Sequence, residues 1–323
     1  MREAIRVPIL QAAEVISSAR RLVAVGHVNP DGDALGSALA LAHAARRAGI
    51  EAVASFGGPF RVPESLSFLD LAPLVPPADV PETPDVMVVF DAASPQRIGE
   101  LAGHAERAGT VVVVDHHVTS DGGFGDVRVI DPDSGASAEL AFYLIRALGW
   151  EIDEIVGAAL LTGIVTDTGR FQYSSTDPSI LRVAAELVEA GVRPEVLGQH
   201  LFESAPYGYL KVSSAVLGRA RLEPGLRLVW SAAFASDLED AGVGWEDCDG
   251  LIDDLRIARE ADVAALLKQV EGGFKVSLRS RGRVDVGAIA AAHGGGGHHN
   301  AAGFTAASDD VDAVVELLRA RLR

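Results

Sequence analysis

His27, Asp31 and Asp33 crowd into one short turn of the run LVAVGHVNPDGDALGS, residues 22–37. An imidazole beside two carboxylates suits a divalent cation, and so oxygen-rich a set suits Mn²⁺ or Mg²⁺ better than a structural Zn²⁺. A loop this acidic repels itself unless a cation is bound. Leu22 to Val25 reads as a short apolar strand and Ala34 opens a helix, so the turn lies at the edge where open α/β folds bind ligands. Pro30 and Gly32 bend the loop so that Asp31 and Asp33 can face a common point, with Asp33 beside the positive end of the helix dipole. The bland alternative is a solvated Asp-rich N-cap turn, because Asp is common at helix starts.

Further acidic tips repeat the pattern. Asp91 closes the apolar run Val86 to Phe90, and Asp115, His116 and His117 close the all-valine run Val111 to Val114. Parallel strands lie about 4.8 Å apart, so side chains at the same ends of neighbouring strands converge within a metal-sized site. Asp167, just past an apolar helical run, supplies one more carboxylate. Singly, each Asp reads as a turn residue and paired histidines are ambiguous. Their joint placement at one edge carries the argument.

The elements that must position them alternate. Residues 8–20 have the spacing of a short amphipathic helix lying against the first strand. Ala34 to Ala48 is an alanine-rich helix closed by Gly49, Ala52 to Phe56 a second strand, and Pro73 to Pro84 a surface connection. Arg97 to Ala108 reads as a helix. Uninterrupted valines in alternation with helices predict α/β architecture, a parallel sheet with helices on both faces. Ser137 is the expected N-cap of a helix over Ala138 to Leu148, Asp153 caps the next run through Val165, and Asp177-Pro178 starts one more, to Ala190. The domain is thus expected over 1–192, with a helical connector over 193–213.

A smaller α+β domain is expected over 214–323, with strands at Leu226 to Ala232, Ala261 to Val270 and Phe274 to Leu278. Helices are expected near Cys248 to Arg259, at Val286 to Ala292 and from Val311. HGGGGHHNAAGF, from His293, is too rich in glycine for either helix or strand interior.

At 323 residues, two domains are the natural expectation. The formal charge of −17 repels long phosphate backbones and argues against duplexes and long single strands as main substrates, while short oligonucleotides or mononucleotides fit if basic groups gather locally. The single cysteine, Cys248, excludes an intramolecular disulfide and fits a reducing compartment. No stretch reaches membrane-spanning length, and Glu3 and Glu14 interrupt what a signal peptide would keep apolar. A cytoplasmic enzyme is the expectation.

These residues resemble the DHH phosphoesterases with a C-terminal DHHA1 domain. That subfamily includes the NrnA-type oligoribonucleases and pAp phosphatases and the actinobacterial cyclic-dinucleotide and nano-RNA phosphodiesterases. His27-Val-Asn-Pro-Asp31-Gly-Asp33 resembles the first motif, Asp91 the second, Asp115-His116-His117 the third and Gly163-Ile-Val-Thr-Asp167-Thr-Gly169 the fourth. Gly295-Gly-Gly-His298-His-Asn-Ala301-Ala-Gly303 is similar to the GGGHxxAAG signature, preceded by Ser277-Leu-Arg279-Ser280. The resemblance implies one cation on His27, Asp31 and Asp91 and another on Asp33, Asp91, His116 and Asp167, Asp91 bridging, with Mn²⁺ expected and Mg²⁺ or Co²⁺ as alternatives. Two cations about 3.5 to 4 Å apart can hold a hydroxide and neutralise charge on phosphorus during in-line attack.

Asp115 is expected to orient a ligating histidine. His117 faces the substrate, binding phosphate or protonating the leaving oxygen, unless it is an internal support. Arg279, Ser280, Gly295, Gly296, Gly297, His298 and Asn300 would hold the rest of a nucleotide in a cleft between domains, the glycines turning N–H groups toward an anion. Arg281 and Arg283 complete the local basic cluster; a solvated face is the alternative for both and suits Arg283 better. Arg97 would contact phosphate from the first domain or serve a capping role. The expected activity is hydrolysis of nano-RNA and pApA and of the 3′-phosphate of pAp, with cyclic di-AMP as a further candidate substrate, by a homodimer without membrane or long-duplex partners. Its rivals are a RecJ-like exonuclease, an inorganic pyrophosphatase of related fold and a sensor that binds cyclic dinucleotide without cleaving it.

Overall fold

A computed structural model describes residues 1–117, 123–248 and 250–323, and of His298 the backbone alone. The chain divides into Met1–Ser204 and Ala205–Arg323. Unit 1 runs α1 (Glu3–Ser17), β1 (Arg21–Gly26), α2 (Gly32–Arg47), β2 (Glu51–Phe56), β3 (Val86–Phe90), α3 (Ala102–Arg107), β4 (Thr110–Asp115), β5 (Val127–Ile130), α4 (Ser137–Ala147), α5 (Glu154–Asp167), α6 (Pro178–Glu189) and α7 (Pro194–Phe202).

Its sheet is parallel throughout, in the order β2-β1-β3-β4-β5. The uninterrupted apolar runs follow from burial on both faces. Leu22, Ala24, Val86, Val88, Phe90, Val112 and Val114 pack with the core of α1, α2, α4 and α5. Their neighbours Val23, Val25, Met87, Val89, Val111 and Val113 point the other way, to Ile98, Leu101 and Ala105. Chain direction across the sheet reverses between β1 and β3, the crevice where such sheets bind ligands.

Helix α2 has no wet face between Gly32 and Ala45. It lies so close to α5 that a Cβ on Gly36 would press into the carbonyl oxygen of Ala159, and one on Gly163 would come 2.8 Å from Asp33 Oδ1. These two glycines therefore set the approach of the helices that carry Asp33 and Asp167.

Several local expectations are corrected. Helix α1 begins at Glu3 and packs on β5 and α4 rather than on β1. Residues 97–108 begin as a tighter 3₁₀ segment, Pro95–Leu101, with Gly99 at φ 59°, before α3. The N-cap of α4 is Ala136, and Ser137 is the first helical residue. The stretch 193–213, by contrast, is helical as expected, with α7 and most of a further helix, α8 (Tyr207–Gly218).

Unit 2 continues with β6 (Arg221–Glu223), β7 (Leu228–Ala233), α9 (Ala235–Ala241), α10 (Leu251–Arg256), β8 (Val263–Val270), β9 (Gly273–Ser280), α11 (Val286–Ala291), β10 (Gly296–His298), β11 (Ala301–Ala306) and α12 (Val311–Leu322). Its mixed sheet has the order β10-β11-β9-β8-β7-β6, with only β7 and β8 parallel among the described pairs. The glycine-rich stretch, read as neither helix nor strand, supplies the β10–β11 hairpin. Glycine there is a packing requirement: a Cβ on Gly295 would press into the carbonyl oxygen of Gly303, and Gly297 adopts φ 138°. Among the described residues no helix is long and apolar enough to cross a membrane.

Candidate metal centre

The β1–α2 turn presents its side chains through its own backbone bonding. Asp31 is the N-cap of α2, its Oδ1 accepting the N–H groups of Asp33 and Ala34 at 3.1 and 3.0 Å. Its other oxygen lies 3.6 Å from His27 Nε2. His27 donates Nδ1–H to the carbonyl of Val28 at 2.9 Å, which leaves Nε2 to face Asp91 Oδ2 at 3.3 Å. Asp91, first residue after β3, sits at φ 57°, a left-handed backbone costing about 1–3 kcal/mol for a non-glycine residue. Strain of this kind concentrates at functional sites.

Asp33 is fully buried and accepts the first N–H groups of α4, Ser137 on Oδ2 at 2.6 Å and Ala138 on Oδ1 at 2.8 Å. A carboxylate against an N-terminus is where the helix dipole favours it. The Ser137 hydroxyl, expected to cap α4, instead donates to Asp91 Oδ1 at 3.0 Å. His116 donates Nδ1–H to the Ser134 carbonyl at 3.1 Å. Its Nε2 lies 3.0 Å from Asp167 Oδ2, 3.5 Å from Asp91 Oδ1 and 3.8 Å from Asp33 Oδ2. Asp115 holds His117, Nδ1 to Oδ1 at 2.7 Å, while His117 Nδ1 is also 3.4 Å from Asp91 Oδ1. The histidine that Asp115 orients is therefore His117, and a backbone carbonyl orients His116.

Electrostatics follow from this crowding. Burial disfavours a charged His27, but hydrogen bonds and charge from Asp31 and Asp91 prevail and push its pKa up to about 10. His116 also moves well up, burial being outweighed by Asp167 and Asp91. Asp33 is driven well above the usual carboxylate range by burial and by the charges of Asp91 and Asp167. Asp91 moves well down because His116 and His27 overcome its burial. Protons thus offset the negative charge, a task that bound cations perform equally well.

Three groups of donor atoms each lie within 4.8 Å: His27, Asp31 and Asp91; Asp33, His116 and Asp167; and Asp91, His116 and His117. Asp91 and His116 are shared between groups. Hard carboxylate oxygens with imidazole nitrogens held by carbonyl hydrogen bonds fit divalent cations of the Mn²⁺ or Mg²⁺ kind.

Residues 21–164 match the model of the DHH family N-terminal domain and residues 231–323 that of the DHHA1 domain. A Thermus thermophilus protein named bifunctional oligoribonuclease and PAP phosphatase NrnA is 35% identical over 94% of this chain and 90% of its own. The chain belongs to the DHH/DHHA1 family of phosphoesterases. A Streptococcus mutans protein named probable manganese-dependent inorganic pyrophosphatase is 27% identical over 53% of this chain and 56% of that protein. An exopolyphosphatase-related protein from Bacteroides fragilis has the same fold, with a TM-score of 0.89 at 23% identity over 98% of this chain and 96% of that one.

In the DHHA1 domain the candidate recognition residues lie at the end of β9, on and just before β10, and in the β10–β11 turn. Arg279 is half-buried, its Nη1 donating to the Leu278 carbonyl and its Nε 3.4 Å from Asp253. Ser280 is fully buried and its Oγ accepts the Gly282 N–H at 3.1 Å, so it supports the turn rather than facing a ligand. The Asn300 carbonyl accepts the Ser280 N–H, Gly295 and Gly296 are exposed, and the His298 side chain lies outside the described residues. Arg281 bonds the Arg256 carbonyl and Arg283 faces Asp262 at 3.6 Å. Arg97, in the DHH domain, is exposed, and its own carbonyl accepts the Val28 N–H at 2.8 Å, tying down the loop after His27.

Ser134, Ser137 and Glu139 went unread as functional positions. Serines before a helix look like caps, and no local spacing shows that Ser137 reaches Asp91, that the Ser134 carbonyl meets His116, or that Glu139 holds Ser134.

Proposed function

We propose that this chain is a two-metal phosphoesterase of short nucleotides, hydrolysing nano-RNA and pApA to mononucleotides, pAp to AMP, and cyclic di-AMP. The observation that carries this reading is the sharing of Asp91 between donor groups, which suits two cations held by one carboxylate. One would be held by His27, Asp31 and Asp91, the other by Asp33, Asp91, His116 and Asp167. When bound, such a pair acidifies a water into a nucleophile and offsets charge on the phosphoryl oxygens. Mn²⁺ is favoured by the donor set and by the name of the Streptococcus mutans relative.

His117 would bind phosphate or give a proton to the leaving sugar oxygen at Nε2, with Asp115 steadying the imidazolium through Nδ1. Arg279, the glycines Gly295 to Gly297, His298 and Asn300 would recognise the nucleotide, with Ser280 supporting them. Arg97 would add a phosphate contact. The NrnA name of the Thermus relative and the acidic surface both support short substrates. We assign the working form to a cytoplasmic homodimer.

The test is turnover of a labelled dinucleotide, pAp, cyclic di-AMP and a long single strand with Mn²⁺, by wild type, Asp91→Asn and Asp167→Asn. We expect turnover of the short substrates and a loss of about 100-fold or more in both variants. Preference for the long strand would move the chain to RecJ-like chemistry, and unchanged turnover in either variant would remove the two-metal assignment.

A further inference from the structure

The carboxylate of Glu139 is fully buried, yet it lies in the first turn of α4 with no metal-ligand role in the arrangement above. Its Oε2 accepts the Ser134 hydroxyl at 2.6 Å and the Gly135 N–H at 3.2 Å. Both bonds fix the residue 134–136 turn, and the carbonyl of Ser134 is the acceptor for His116 Nδ1–H. The other carboxylate oxygen accepts the Tyr143 hydroxyl at 3.2 Å. The charge is met by Arg2, whose Nη1 lies 3.7 Å away. Arg2 also bonds Asp131 at 2.9 Å, the Asp133 carbonyl at 2.6 Å and Asp177 at 2.9 Å.

A neutral side chain would fill this space without the cost of burying a charge, which is several kcal/mol per ion even when paired. Charge is useful here because a carboxylate accepts strongly from both hydroxyl and amide and so immobilises the turn. Metal-ligating histidines need this kind of support, since the partner of one ring nitrogen sets the orientation and tautomer of the other. In this chain the carboxylate acts at one remove, through the backbone of Ser134.

Building on the metal reading above, we propose that Glu139 is a positioning residue for the metal centre, acting through Ser134 to aim His116, with Arg2 as its counter-charge. The segment before β1 is thereby wired to a ligand that follows β4. Ser137, on the same turn of α4, holds Asp91, so one helix start positions ligands of both donor groups.

The test is Mn²⁺ titration of the full-length protein without substrate, followed by loss of the free-ion electron paramagnetic resonance signal, alongside thermal unfolding of the metal-free chain. Ser134→Ala and Glu139→Gln should each weaken Mn²⁺ binding about 10- to 100-fold. Ser134→Thr, which keeps the hydroxyl, should bind within about threefold of wild type on the same reasoning. Leu187→Ala, which hollows the buried core of the same domain, should lower the unfolding temperature and leave Mn²⁺ affinity unchanged. If Glu139→Gln does not fold, Ser134→Ala against Ser134→Thr decides. Wild-type affinity in Ser134→Ala, or an equal loss in Leu187→Ala, overturns the proposal while the metal reading stands. A wild-type chain that binds no Mn²⁺ removes both.

Discussion

In the DHH domain His27, Asp33, Asp91 and His116 are all buried, and each is held by a backbone or side-chain hydrogen bond. In the DHHA1 domain the glycine-rich candidates, with His298 and Asn300, lie on an edge hairpin beside Arg279 and Ser280 of β9, and its glycines, Gly294 to Gly297, are exposed. The first arrangement holds each donor in place by hydrogen bonds within the domain, the preorganisation that the proposed chemistry would need. The second keeps backbone groups accessible at the cost of local stability, as the proposed recognition of short nucleotides would use. Both depend on glycine, but in the DHH domain Gly36 and Gly163 bring helices together, whereas in the DHHA1 domain Gly295 and Gly297 bring strands together.

The largest expected effect separates the two regions. Gly36→Val forces α2 from α5 and so parts Asp33 from Asp167; we expect a loss of about 3 kcal/mol or more in urea unfolding and no measurable Mn²⁺ binding. Gly295→Ala, equally crowded, should lift β10 from β11 and raise KM while Mn²⁺ affinity stays at the wild-type value. Equal loss of metal in both variants would show that the regions are not independent.

Next in size is Arg279→Ala, expected to raise KM for the dinucleotide about tenfold with little change in kcat, as loss of one charge-assisted hydrogen bond implies. A fall in kcat alone would place Arg279 among the groups that act at the transition state.

The smallest effect is a slope. His27 has its pKa raised to about 10, so without metal its ion pairs with Asp31 and Asp91 stabilise the fold fully below its unfolded value near 6.5. That contribution is lost as pH rises toward 10. Urea melts of chelator-treated protein should therefore show stability declining over this window, and His27→Gln should flatten the decline. Mn²⁺ must displace the His27 proton, so its affinity should rise over the same window. Metal affinity that falls with rising pH would contradict the arrangement.

The candidate ligands are legible because strand ends advertise themselves: apolar runs stop at Asp91 and Asp115, and a parallel sheet brings such ends together. What supports them was not. Ser137 has the chemistry of a cap, and only the long-range approach of Asp33 and Asp91 explains why Ala136 occupies the cap position instead. Strand β5 is four residues long and contains Arg128, too little alternation to read. Helix α1 could be recognised from its spacing, but spacing does not say which neighbour it covers. The glycine-rich hairpin reversed a propensity argument, because close strand approach outweighed the entropic preference of glycine for irregular structure.

Helix α2 is wrapped by the core from Gly32 to Ala45, and the two acids at its start experience opposite surroundings. The Asp31 side chain is 53% exposed, whereas that of Asp33 is sealed. Ions held at the two ends of the proposed centre would therefore differ in their access to the medium. In the proposed centre, exchange with the medium would run faster on the Asp31 side than against Asp33.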